Sequence, residues 1–183
     1  VFMGATLVQV LFWLLLFSRL GRHAEPVNLE PEQPQSELPP VSIIICGCNE
    51  ADNLSKFLDR FLSQDYPFFE VIVVNDNSVD NSEKILLEFK KKYSILRPVT
   101  IKEQHPPGKK YALQVGIAAA KYDLLLLSDA DCYPSSPHWI RFMQSTIKND
   151  VLIGLGYSPF EYRHGLLNRF IRFEAIYTAI QYF

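Results

Sequence analysis

The stretch Leu124-Leu-Leu-Leu-Ser-Asp-Ala-Asp131 decides how the rest of the chain is read. Four consecutive leucines suit a strand buried on both faces, as in a parallel sheet covered by helices on either side. The two acids that follow, Asp129 and Asp131, fall where such a strand ends. Carboxylates so close at the edge of a core repel one another unless a proton or a cation separates them. A hard cation such as Mg2+ or Mn2+ takes one or two carboxylates and fills its remaining positions with water and phosphate oxygens. The plainer reading is a pair of short acids closing a turn.

Working outward, the same unit repeats. Val41-Ser-Ile-Ile-Ile-Cys46 reads as a strand, and Leu54, Phe57, Leu58, Phe61 and Leu62 recur at helical spacing until Pro67. Val71 to Val74 reads as a second strand, and Asp80 with Glu83 offers a capping box for a helix carrying Ile85, Leu86 and Phe89. A third strand falls within 96–101, followed by a helix over about 110–120 that leads into the leucine strand. Beyond it, Ser136 and Pro137 open a further helix to about Lys148, and 151–155 reads as one more strand. Apolar strands alternating with helices imply an α/β fold with a mostly parallel sheet and right-handed crossovers.

Ligands of such sheets lie outside the carboxyl ends of the strands. That rule selects the segment holding Cys46, Cys48 and Glu50 after the first strand, Asp76 after the second, Lys109 and Lys110 at the start of the third helix, and Asp129 with Asp131. Asp76 is equally a turn acid or an acceptor for a nucleobase N–H. Lys109 and Lys110 can neutralise phosphate beside exposed helix amides, or simply face solvent. Glu50 reads at least as well as a helix cap.

Composition bounds the alternatives. With 183 residues there is room for one core, and 18 basic against 20 acidic side chains leave no electrostatic footprint for nucleic acid. The three cysteines, Cys46, Cys48 and Cys132, are unpaired in spacing; they read as small buried residues in a reducing compartment. His23, His105, His138 and His164 form no HExxH pair, and no GxSxG elbow, GxxxxGK[ST] loop or GxGxxG follows a strand.

Val1 to Phe17 is almost wholly apolar and is followed by Arg19, Arg22 and His23. Residues 1–19 are therefore expected to form a transmembrane helix whose basic flank, with everything after it, faces the cytoplasm at the cell membrane. Residues 20–40, rich in proline and glutamate, are expected to be a linker that contributes nothing to a core. The domain would then occupy 41–183 and continue beyond Phe183. The tail from Tyr157 mixes aromatic residues with Arg163, Arg169 and Arg172, and reads equally as a membrane-surface helix or a helix packed on the sheet.

Taken together, the residues 41–50, 71–80, 108–113 and 124–131 resemble, in order and spacing, the family 2 glycosyltransferases of GT-A fold, over about Val41 to Pro134. The resemblance implies inverting transfer of a sugar from a nucleotide-diphosphate donor to an acceptor hydroxyl, with Mg2+ or Mn2+ on the diphosphate. It implies that Asp76 accepts a hydrogen bond from the base, that Cys46, Cys48 and Glu50 line the nucleoside pocket with Lys109 nearby, that Asp131 binds the metal, and that Asp129 lies on the ribose or the metal. Family members often carry proline and an aromatic residue or arginine where this chain has Gly47 and Cys48. The family's catalytic base comes well after the Asp-x-Asp motif; Glu161 and Glu174 lack its context, so the base is expected beyond Phe183. The acceptor, lipid-linked or polysaccharide, is unassigned. Two other functions compete: a catalytically silent membrane-anchored scaffold, and a haloacid-dehalogenase-type phosphatase, whose acids normally follow the first strand of its core.

Overall fold

A computed structural model describes residues 2–23, 38–103, 108–147 and 151–182. The chain divides into two units, Val1–Glu32 and Gln33–Phe183. The first contains helix α1 (Phe2–His23), whose Leu7, Val8, Leu14 and Leu15 are exposed. Among the described residues no helix is long and apolar enough to cross a membrane. The transmembrane helix expected over residues 1–19 is thus not supported: Gln9 interrupts the apolar run, and Arg19 and Arg22 fall within the same helix.

In the second unit four strands form one parallel sheet: β1 (Val41–Gly47), β2 (Phe69–Asp76), β3 (Leu96–Ile101) and β4 (Leu124–Asp129), in the order β3-β2-β1-β4. The connecting helices are α2 (Ala51–Leu62), α3 (Ser82–Lys92) and α4 (Lys109–Ala119); α5 (Trp139–Ser145) and α6 (Leu166–Tyr182) follow. Strand alternation sends Val41, Ile43 and Ile45 of β1, with Val71 and Val73 of β2, to one core beneath Leu54, Leu58 and Phe61 of α2 and Leu86 of α3. Ile44, Cys46, Ile72 and Val74 face the other way, onto α4 through Ala112. α4 lies so close that a Cβ at Gly116 would stand 2.5 Å from Ile44 Cγ2, so only glycine permits this approach.

Several expectations are corrected. The leucine strand is not buried on both faces. β4 sits at the edge of the sheet, with Leu126 buried and Leu127 53% exposed, because no described strand pairs with its outer side. Residues 151–155 form no strand; Leu152, Ile153 and Leu155 are exposed in a segment without regular structure. α5 spans Trp139–Ser145 only, since Ser136 accepts the His138 amide and so closes a turn before the helix begins. The linker expected at 20–40 lies outside the described residues over 24–37, and its ends behave otherwise. Residues 20–23 continue α1, while Leu38 is buried in the core and Pro39 accepts a hydrogen bond from the Tyr66 hydroxyl.

Candidate active site

The chain steps from β1 to β2 to β3 in one direction, and β4 then joins β1 on its other side. The reversal opens a crevice between β1 and β4 at their carboxyl ends, where α/β sheets take ligands. A cleft of about 810 Å³ lies there. Its walls carry Cys46 at the end of β1 with Cys48 and Glu50 just after it, Asp76 from β2, Lys109 from the start of α4, Asp129 at the end of β4 and Asp131 in the turn that follows. The residues selected from the sequence therefore meet in one place, except Lys110, which does not line the cleft; Asn77, Gly108 and Ala130, which sequence reasoning did not single out, join them.

The register explains the convergence. Cys46 lies opposite Asp129 across the β1–β4 pair, and Gly47 opposite Asn75 across the β1–β2 pair, so the three strands end nearly level. Ile72, Val74 and Asp76 alternate onto the face covered by α4, as do Ile44 and Cys46. Lys109, the first residue of α4, reaches Asp129 and forms an ion pair with it. At Gly47 a Cβ would stand 2.8 Å from Glu50 Cγ and 3.1 Å from Ala130 Cβ. Glycine at this position is what lets the turn after β4 close against the end of β1.

Past β4 the chain turns, with the Cys132 amide donating to the Asp129 carbonyl. One ligand atom each from Asp129, Asp131 and Cys132 then lie within 4.8 Å of one another. The alternation that would separate two acids in a continuing strand is broken by this turn. Cys132 was not read as part of the site; its signal was adjacency to Asp131. The donor set, two exposed carboxylates beside a thiol, fits a divalent cation that retains room for further oxygen ligands.

The thiols are not activated nucleophiles. Burial pushes the Cys46 thiol up, and Asp76 adds to that while Lys109 opposes it. Cys48, exposed rather than buried as expected, is raised by desolvation and by the negative field of Asp76, Asp80 and Glu50. Burial also raises Cys132. Burial is the main reason these thiols keep their protons, and the acids that add to it at Cys48 also attract a cation to the cleft. Asp80 and Glu83 do not form the expected capping box. Asp80 Oδ1 instead accepts the Ser82 amide, and Glu83 pairs outward with Lys102.

A parallel sheet with its cleft at the strand-order reversal, lined by acids from separate β-α turns, defines a Rossmann-like α/β fold with a ligand-binding crevice. The family described as Glycosyl transferase family 2 matches residues 42–175, and the chain belongs to that family. It is 31% identical over 189 residues to the probable glycosyltransferase YdaM of Bacillus subtilis (strain 168), covering 96% of this chain and 44% of that protein. It is 38% identical over 116 residues to glycosyltransferase AglE of Haloferax volcanii, covering 61% and 36%. The chain thus spans less than half the length of these relatives. Among solved structures, S. aureus TarS 1-349 in complex with UDP-GlcNAc aligns at TM-score 0.51 and 25% identity, covering 58% of this chain and 30% of that one. The fold is also shared with the mannosyltransferase PcManGT of Pyrobaculum calidifontis in complex with GDP-Man and Mn2+, at TM-score 0.55 and 24% identity, covering 69% and 36%.

Proposed function

We propose that this chain carries the donor-binding site of an inverting glycosyltransferase that takes its sugar from a nucleotide-diphosphate donor. The observation that carries the reading is the single cleft into which Asp76, Lys109, Asp129 and Asp131 all open. Family membership and the UDP-GlcNAc complex of TarS support a nucleotide-sugar donor.

The division of labour follows from position. Asp76, at the end of β2 with Asn77 donating to its Oδ1, accepts an N–H from the base. Cys46, Cys48 and Glu50 form the nucleoside wall beside it. Lys109 exchanges its pairing with Asp129 for the donor's phosphate oxygens, which frees the Asp129 carboxylate for the ribose or the cation. Asp131, with Asp129 and with Cys132 alongside, holds Mg2+ or Mn2+, whose charge when bound neutralises the diphosphate as it leaves. The residues described here bind and orient the donor and stabilise its leaving group. The proton of the acceptor hydroxyl is taken by a base that we do not place on this chain.

Residence at the cytoplasmic face of the cell membrane belongs to the same proposal. Its support is the exposed apolar side of α1, followed by Arg19 and Arg22, and the exposed Leu167, Phe170 and Phe173 of α6.

Calorimetric titration of the chain with UDP, GDP, ADP and CDP, with and without Mn2+, tests the donor reading. Saturable binding of one or two of these, strengthened by Mn2+, is expected. A folded protein that binds none of them overturns it.

A further inference from the structure

The two loops that carry the nucleoside wall are laced to each other by side chains bonded to backbone. The Asn49 amide donates to Ser78 Oγ at 2.8 Å, and the Val79 amide donates to Asn49 Oδ1 at 2.8 Å. The Glu50 amide donates to Ser82 Oγ at 3.1 Å. At the centre is one carboxylate: Asp80 Oδ2 accepts the amide of Ala51, the first residue of α2, and Asp80 Oδ1 accepts the amide of Ser82, the first residue of α3, both at 3.0 Å. Neither helix has a side-chain bond from its own N-cap residue, so this shared carboxylate answers orphan amides of both.

The lacing is held in an unusual backbone. Asn49 has φ 58°, a left-handed conformation that an L-residue adopts at a cost of about 1 kcal/mol or more. Such a conformation persists where surrounding bonds over-determine it, and here its side chain is one of those bonds. Cys48 and Glu50, which flank Asn49, line the donor cleft, as do Asp76 and Asn77 of the other loop. The bonds that join the tips of these two loops run through Asp80, Asn49, Ser78 and Ser82.

We propose that Asp80 is a positioning residue for the nucleoside half of the donor cleft: by accepting one amide from α2 and one from α3, with Asn49 as its partner in the lock, it fixes the spacing between the Cys48–Glu50 wall and Asp76. It touches no ligand itself. This inference rests on the donor reading above. The base and ribose need both loops at a set separation, whereas the diphosphate end is built from Lys109 of α4, Asp129 of β4 and Asp131 in the turn after it, none of which takes part in the bonds of the lock.

The test is a split in affinity. Nucleoside diphosphates and inorganic pyrophosphate, each with Mn2+, are titrated against wild type, Asp80→Ala, Asp80→Asn and Asn49→Gly, well below the melting temperature of each. Loss of Asp80 should weaken nucleoside diphosphate about tenfold while pyrophosphate stays within about twofold. Asp80→Asn keeps one acceptor oxygen and should fall between wild type and alanine. Asn49→Gly loses the acceptor of the Val79 amide but takes up the left-handed backbone without strain, so the two effects offset in part, the variant should fold, and it still weakens nucleoside diphosphate selectively. This variant keeps the test open should Asp80→Ala fail to fold. Equal weakening of both ligands, or unchanged nucleoside diphosphate affinity in folded Asn49→Gly, overturns the inference. Wild type that binds pyrophosphate but no nucleoside diphosphate overturns the donor reading, and the inference with it.

Discussion

The two ends of the sheet treat their carboxylates in opposite ways. At the amino end, Glu70 in β2 is only 6% exposed and its oxygens are saturated: it accepts from Ser42 Oγ at 2.8 Å, from Arg97 Nη1 at 2.8 Å and from the Lys121 amide at 2.6 Å. This one side chain ties β1, β2 and β3 to the segment entering β4. At the carboxyl end, Asp129 and Asp131 are exposed, and Asp129 meets a lysine that is itself half in solvent. A buried acid must be fully hydrogen-bonded to be tolerated, and once it is, it has nothing left to offer a ligand. Acids at the rim keep lone pairs available because water satisfies them in the meantime. The difference separates stability from binding within one sheet.

Removing the saturated acid should have the largest effect on stability. Glu70→Ala takes the acceptor from Ser42 and the Lys121 amide and one partner from the half-exposed Arg97, and is expected to cost about 2 kcal/mol in chemical denaturation while leaving nucleotide affinity unchanged. Wild-type stability in that variant would erase the contrast. At the other end, Asp131→Ala should weaken Mn2+-assisted nucleotide binding on the order of 100-fold, about 2.7 kcal/mol, with a melting temperature close to wild type. Calorimetry and thermal melting on the same sample read both. Asp76→Asn should weaken the nucleotide about tenfold and leave pyrophosphate binding alone, because only the base contact is altered. The smallest effect sharpens the amino end. Burial pushes the Glu70 carboxyl up, but the hydrogen bonds from Arg97, Lys121 and Ser42 outweigh it and hold the group below its ordinary range. Its folded value is depressed, so its contribution is complete above the unfolded value of about 4.3 and is lost as pH falls from there through the folded value. Glu70→Gln should flatten that part of the stability profile, measured as denaturation midpoint against pH.

Much of this was legible in the chain. The apolar runs of β1 and β2 and the helical spacing of Leu54, Leu58 and Phe61 dictated the alternation, and the rule that ligands gather at carboxyl strand ends selected the residues now found in one cleft. What was not legible is what depends on strand order. Four leucines suggested burial on both faces, but among the described residues no strand pairs with the outer side of β4, and composition does not encode position within a sheet. Asp80 looked like half of a capping box because Glu83 lay at the right spacing. Its actual partner, the Ala51 amide, is brought in by a different loop and leaves no local pattern. Cys132 joined Asp129 and Asp131 because the turn after β4 folds back, which spacing alone does not reveal. Val151, Leu152 and Ile153 read as a strand from β-branched and apolar content, yet a strand needs a partner, and none is present among the described residues.

A double-mutant cycle on nucleotide affinity bears most directly on whether acids from separate β-α turns grip one ligand at its two ends. Wild type, Asp76→Asn, Asp131→Asn and the double variant are titrated with the tightest-binding nucleoside diphosphate in the presence of Mn2+. Both single variants should weaken binding, only the Asp131 variant should lose its response to Mn2+, and the two losses should add within about 0.5 kcal/mol because the groups hold different parts of the ligand. Wild-type affinity in either single variant, or no binding by the folded wild type, would contradict a shared donor cleft.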